Sequence, residues 1–221
     1  MKLLAIDTAT EACSAALYID GYIQEKYEVA PRKHAELILG MVDGLLTEVD
    51  LKLKSLDGLC FGRGPGAFTG VRIATGIIQG MAFASDLPVV PVSTLAAMAQ
   101  GAANESKTIL SAIDARMGEV YCALYSVDKD NVVNPLSEEK VIKPEVIELE
   151  INEECFGVGT GWGTYEEELS TIVGDKLQGF KSDYYPRASN ILTLAKKEFE
   201  LGNTVPASQA LPIYLRNKVT G

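Results

Sequence analysis

Histidine, tryptophan and basic charge are scarce in this chain, and each shortage excludes a class of function. Of 221 residues one is histidine, His34, and one is tryptophan, Trp162. A helical histidine pair for a metal needs a second ligand one turn after the first, and Leu37 and Ile38 stand there. A serine nucleophile on a Gly-x-Ser-x-Gly turn is also missing, and only His34 could serve it as base. The four cysteines, Cys13, Cys60, Cys122 and Cys155, form no Cys-x-x-Cys pair. They read as small core residues rather than a disulfide framework. No apolar run approaches the ~18 residues of a membrane span. The opening stretch from Met1 is interrupted by Asp7 before it could form a signal-peptide core, so a cytoplasmic location is expected. Lys and Arg number 20 against 30 Asp and Glu, a net charge of −10. Up to Ala103 there are 8 basic and 11 acidic residues; beyond it there are 12 and 19. Nucleic-acid binders carry a basic footprint because phosphate neutralisation drives their affinity. In an RNA pathway, another subunit would have to supply most of the RNA contact.

Apolar material is ample at 47%, and it is arranged in a repeat. Ala5-Ile6-Asp7 is followed after eight residues by Ala16-Leu17-Tyr18. Ala112-Ile113-Asp114 is followed after eight by Ala123-Leu124-Tyr125, at a constant offset of 107. Two strands in one register, each ending in Asp, point to duplicated lobes, although strand composition is stereotyped. The first copy reads as strands at 2–7, 12–19 and 22–29, with Asp20-Gly21 as a hairpin turn. A helix over 34–49, a strand at 56–61, a helix at 69–84, a strand at 89–92 and a helix at 94–103 follow. The second copy begins likewise, with strands near 107–113, 118–127 and 132–142, a strand at 155–158, and helices from about Thr164 and from Ala188 to Leu201. Three antiparallel strands followed by alternating helices and strands describe a ribonuclease H-like lobe. The expected fold is therefore α/β, with two such lobes, 1–103 and 104–221, in the actin and sugar-kinase (ASKHA) architecture. By analogy of fold, that architecture places nucleotide in the cleft between lobes.

Two loops are candidates for phosphate. The turn Asp7-Thr8-Ala9-Thr10 could cradle it through backbone N–H and hydroxyl groups, with Asp7 on a metal-bound water; equally, it could be a polar hairpin turn. The run from Gly62 to Gly70 follows a strand and opens a helix, bringing Gly64 and Gly66 into the same candidate set. It lacks the Gly-Lys-Ser/Thr of a Walker loop, and its spacing fails the dinucleotide fingerprint at Thr69. A tight turn capped by Thr69 is the alternative. In the second copy, Gly157-Val158-Gly159-Thr160-Gly161-Trp162 is either a vestigial ligand loop or a strand-to-helix connection. No Gly-Gly pair occurs there to pack on an adenine. His34, at a helix start, is expected as a cap or surface residue. Arg72, Arg116 and Arg216 are candidate anion contacts.

The helices carry a different signal. Gly76, Gly80 and Ala84 recur every four residues, flanked by Ile73 and Ile77. A glycine inside a helix costs roughly 0.5–1 kcal/mol relative to alanine, so something is expected to pack close to that face. In the helix over 34–49, apolar residues cover roughly 200°, where one core stripe needs little over 100°. Either the helix is sandwiched within its own fold, or one side meets the sheet and another a partner. The partner reading makes Leu37, Ile38, Met41, Leu45, Ile73, Gly76, Ile77, Gly80 and Ala84 interface residues.

The stretches AIDTATEACSAALY (5–18), HAELIL (34–39), FGRGPGAFTGVRIATGIIQGMA (61–82), PVSTLAAMAQ (91–100), DARMGEVYCALY (114–125) and PIYLR (212–216) resemble the TsaB (YeaZ) family of bacterial tRNA threonylcarbamoyladenosine biosynthesis proteins. The resemblance implies a non-catalytic subunit that binds and activates its paralogue TsaD. TsaD, with a histidine pair for its metal, transfers the threonylcarbamoyl group to adenosine at position 37 of tRNAs reading codons that begin with A. It further implies TsaE as a partner, a homodimer in isolation, tRNA contact only through the complex, and helix contacts at about 34–49 and 69–84. No cofactor is assigned; ATP or ADP with magnesium at the subunit interface stays open. The rival readings are an ATP-dependent small-molecule kinase or ATPase using Asp7 and Thr10, and a peptidase, which no residue pattern supports.

Overall fold

A central strand buried on both faces organises the first part of the chain in the computed structural model, which describes residues 1–216. Strand β1 (Lys2–Asp7) pairs antiparallel with β2 (Ala12–Ile19) and parallel with β4 (Gly58–Gly62). Strand β3 (Tyr22–Val29) continues the antiparallel side and β5 (Val89–Val92) the parallel side, in the order β3-β2-β1-β4-β5. Alternation along β1 divides its side chains between two cores. Leu4 and Ile6 pack beneath helices α1 (His34–Glu48) and α2 (Phe68–Ser85), with Ile38, Leu45, Ala74 and Ile78. Leu3 and Ala5 pack on the other face against Ala97 of α3 (Thr94–Gly101) and against a helix from the far end of the chain.

The second sheet has corresponding elements in the same order. Strand β6 (Thr108–Arg116) lies between β7 (Glu119–Val127) and β10 (Cys155–Val158), with β11 (Leu177–Lys181) at one edge. The segment expected as one strand at 132–142 is two short ones, β8 (Val133–Pro135) and β9 (Lys140–Ile142), both pairing with β7. Helices α4 (Thr160–Thr164) and α5 (Glu166–Val173) cover one face. Strand β11 is an addition to the sequence reading; its Gly179, at φ +140°, weakens the strand signal.

The repeat is real in order but not in register. Ala5 pairs with Ala16, whereas Ala112 pairs with Cys122 rather than Ala123. The register shifts between Asp114 and Arg116, and the turn continues through Arg116, Met117 and Gly118 at φ of 63°, 60° and 76°. A one-residue slip exchanges the faces of a strand, so Cys122, not Ala123, packs on the same side as Ala112, while Ala123 is buried opposite Ser111.

Over the described residues the two compact units are Met1–Ala97 with Pro186–Ile213, and Met98–Tyr185 with 214–216. Helix α6 (Ala188–Glu200), expected in the lobe 104–221, thus belongs to the first unit; residues 217–221 of that expected lobe lie outside the described residues. The reason is its apolar stripe: Ala188, Ile191, Leu192 and Ala195 cover Leu3, Ala5, Ala16 and Cys60. Polar contacts fix its start. Ala188 N–H donates to Ser14 Oγ at 3.0 Å, and Ser189 N–H to Glu25 Oε1 at 2.9 Å. Arg187 pairs with Glu25 at 2.7 Å and lies over the Tyr27 ring.

In the second unit Trp162 is the largest buried side chain. Its indole N–H donates to the Leu110 carbonyl at 3.1 Å, and its ring stacks on Phe180 at 5.3 Å. Trp162→Ala should cost about 3–5 kcal/mol, the usual range for removing a large buried aromatic. Urea unfolding followed by far-ultraviolet circular dichroism checks this; a loss below about 1 kcal/mol would contradict the assigned packing.

Candidate functional site

The loop after β1 is where an actin-like lobe would hold phosphate, and here it is packed from within. Asp7, Thr8 and Thr10 are all buried. The Thr8 hydroxyl donates to the Gly70 carbonyl at 2.7 Å, and Ala67 N–H donates to the Ala9 carbonyl at 2.7 Å. A Cβ at Gly66 would sit 2.3 Å from the Ala9 carbonyl oxygen, and one at Gly70 1.9 Å from that of Thr8. These glycines let two backbones touch. Gly64, at φ +93°, accepts a hydrogen bond from Thr94 N–H through its carbonyl, and a Cβ there would meet the Ile213 carbonyl at 3.1 Å. Of the five candidate phosphate residues, Asp7, Thr8, Thr10 and Gly64 are buried and Gly66 partly so, with Ala9 N–H and Ala67 N–H already engaged. That arrangement does not fit a phosphate cradle, which needs backbone N–H groups turned outward.

Asp7 itself is held unusually. Its Oδ1 accepts Ala9 N–H at 3.0 Å, while its Oδ2 has no hydrogen-bond partner among the described residues. A Cβ at Gly62 would lie 1.8 Å from that Oδ2 and 3.5 Å from Thr94 Oγ1, which is also buried and unpartnered. Burial pushes the Asp7 carboxyl up from 3.8 to about 7, against the Ala9 N–H, which favours the carboxylate. Neither Gly62 nor Thr94 stood among the sequence candidates. The strand ending in Asp7 is visible in sequence, but the glycine that makes room for its oxygen is 55 residues away.

The glycine run of the second unit closes in the same way. A Cβ at Gly157 would fall 2.2 Å from the Trp162 ring, and one at Gly159 2.3 Å from the Ala112 carbonyl. The run is a strand-to-helix connection whose space is taken by the chain's own indole and backbone. His34 differs from expectation: it begins α1 but is buried, with Nε2 unpartnered among the described residues. Among the described residues no group of three His, Cys, Asp or Glu side chains could hold a metal. Arg216 is not an exposed anion contact either. Its guanidinium donates to the Ala115 and Arg116 carbonyls and pairs with Glu119. Arg116 pairs with Asp114 at 2.9 Å, and Arg72 stacks on Phe68 at 3.6 Å.

The outward sides of α1 and α2 contrast with all this. Cβ atoms at Gly40, Gly76 and Gly80 would meet nothing within 4 Å. Beside them stand Leu39, 55% exposed, and Phe83, 86% exposed. Of the nine interface candidates, Gly76, Gly80 and Ala84 are exposed, and Leu37, Met41, Ile73 and Ile77 are partly so. Ile38 and Leu45 are core residues, because the wide apolar arc of α1 contains two stripes and these two face the sheet. Leu39, counted in the apolar arc of α1, and Phe83 are not among the nine, yet Phe83 follows Gly76 by seven residues and Gly80 by three, which puts it on the glycine stripe.

Comparison with known proteins gives the family and the fold. The family model described as TsaD, tRNA N6-adenosine threonylcarbamoyltransferase, matches residues 25–216. The tRNA threonylcarbamoyladenosine biosynthesis protein TsaB of Escherichia coli (strain K12) is 43% identical over 227 residues, covering 99% of this chain and 96% of that one. Its counterpart in Haemophilus influenzae (strain ATCC 51907 / DSM 11121 / KW20 / Rd) is 43% identical, covering 100% and 95%. The solved structure of YeaZ from Pseudomonas aeruginosa superposes with a TM-score of 0.90 at 43% identity, covering 97% of this chain and 99% of that one.

Two outcomes test the packed loop. Gly70→Ala should destabilise the chain by roughly 1–3 kcal/mol in urea, because the obstructing Thr8 carbonyl is backbone; unchanged stability would refute the contact. The pH dependence follows from Asp7. Between about pH 4 and pH 7 the folded state keeps a proton that the unfolded state has released, so stability attributable to Asp7 is present below this window and lost on rising through it. Asp7→Asn should therefore flatten the decline in urea midpoint between pH 5 and pH 8. An unaltered decline would place the carboxyl's titration elsewhere.

Proposed function

The chain belongs to the TsaB family of tRNA threonylcarbamoyladenosine biosynthesis proteins, and from that premise we propose that it is a non-catalytic subunit that binds and activates TsaD. In this reading TsaD forms the threonylcarbamoyl group on adenosine at tRNA position 37, TsaE joins the pair, and tRNA meets this chain only through the complex. Its site of action is in the cytoplasm.

The observation that carries the reading is the division among its glycines. Gly64, Gly66 and Gly70 around the turn after β4, and Gly157 and Gly159 at the end of β10, meet the chain's own atoms, while Gly40 on α1 and Gly76 and Gly80 on α2 meet none; Gly44 on α1 faces only the flexible Lys26 side chain. Three helix-interior glycines would each cost roughly 0.5–1 kcal/mol with no internal return. Exposed Phe83 and Leu39 beside them add apolar area that stabilises a protein only when covered. Small residues at four-residue spacing let a second helix approach closely, and large apolar neighbours supply the buried area. The same surface would serve a homodimer when the partner is absent. For the non-catalytic role, the support is that the loops from Asp7 and Gly157 are filled by backbone and by Trp162, and that one histidine cannot make a metal-binding pair.

Gly80→Leu separates this reading from a purely internal role for the helix. It should leave the thermal midpoint of the monomer within a few degrees, while raising the dissociation constant for TsaD or for self-association by about tenfold or more. Sedimentation at several concentrations, and tRNA threonylcarbamoylation by TsaD with and without this chain, provide the measurements. Equal TsaD activity in both cases would sink the activating role. Tight ATP binding with turnover that disappears in Asp7→Ala would favour the kinase or ATPase reading instead.

A further inference from the structure

A second surface, sharing no residue with the α1–α2 face, lies on the second unit. That unit holds 17 acidic and eight basic residues, and the segment 138–154 alone holds seven glutamates and two lysines. In this segment Ile147 is buried in the core, and Leu149 and Ile151 pack against it, while Glu148 and Glu150 are exposed. The alternation is that of an extended chain laid over the sheet with its apolar side down. Beside it opens a groove of about 550 Å³. Leu124, Leu136 and Leu149 line its apolar part; Glu148, Glu150 and Glu153 stand at its rim, with Lys140 the one basic residue of the lining. Leu136 is 56% exposed, which leaves a leucine-sized apolar surface uncovered.

We propose that this groove docks a short basic, amphipathic segment of a partner protein. The charge of the rim selects the class. Three carboxylates repel the phosphates of a nucleic acid, whose binding depends on neutralising them. They favour Lys and Arg, whose methylene stems can lie along the leucines while their heads reach the glutamates. The volume accommodates a few large side chains, and the leucine floor requires that some of them be apolar. A purely polar polycation would leave that floor wet.

The test uses the full chain and a fluorescein-labelled peptide, Leu-Lys-Arg-Leu-Leu-Lys-Arg-Leu, followed by anisotropy at about 0.1 M salt. The combined variant Glu148→Gln, Glu150→Gln, Glu153→Gln should weaken binding about tenfold. The same charge change at Glu166, Glu167 and Glu168, in the first turn of α5, should weaken it less than about twofold. Replacing the peptide's leucines by serine should also cost about tenfold. If the rim variant misfolds, as Trp162 emission would reveal, Leu136→Ser takes its place, with about a fivefold loss expected. Equal weakening by both glutamate sets would mean diffuse charge attraction and overturn the proposal. So would a serine peptide that binds as well as the leucine one, or spermidine displacing the peptide as effectively as unlabelled peptide does.

Discussion

Backbone against backbone, at the point where the loop after β1 meets the turn before α2, is the contact on which the first unit depends. The carbonyls of Thr8 and Ala9 occupy the positions that side chains at Gly70 and Gly66 would need, and Gly62 makes the room into which Asp7 Oδ2 projects. Because α2 begins within this turn, the contact sets where α2 starts and how its apolar side meets the sheet. Its cost is concentrated in one group. Asp7 is desolvated, with one oxygen satisfied by Ala9 N–H and the other unpartnered among the described residues, which is why its affinity for a proton rises.

The second unit repeats the topology and fills the equivalent space differently. There Trp162 lies against Gly157, and Gly159 and Gly161 admit the Ala112 backbone. The duplication thus persists as strand order, while the loops that follow Asp7 and Asp114 have diverged. One is closed by a neighbouring turn. The other has slipped by a residue and is tied down by Arg216, through the carbonyls of Ala115 and Arg116. An inherited frame with its loop space filled internally leaves the outer surfaces of the helices as the place for work with partners.

Much of the fold was legible from periodicity. The first three strands and the helices α1 and α2 fall within a residue or so of where apolar alternation and helical spacing put them. The misses have local causes. Gly179 at positive φ masks β11, and the break between β8 and β9 follows from the turn in which Leu136 and Ser137 both bond the Leu124 carbonyl. The helix over 188–201 was expected in the second lobe, and only the fold shows that its apolar stripe is received by the first sheet. Of the site, the glycine spacing on α2 was readable, whereas Ile38 and Leu45 could not be told from Leu37 and Met41. A wide apolar arc shows that two sides are covered without showing which side faces the sheet.

By itself the sequence determined the duplicated order of elements, the family, and the lack of a histidine pair, because these depend on residue identity and spacing along the chain. Tertiary structure decided what each glycine is for. Gly66 and Gly70 are spoken for by carbonyls some 60 residues distant in sequence, while Gly76 and Gly80, a few positions later, face open space. A glycine states only that a side chain would be unwelcome; whether its own fold or another molecule fills the space is settled when distant segments are brought together.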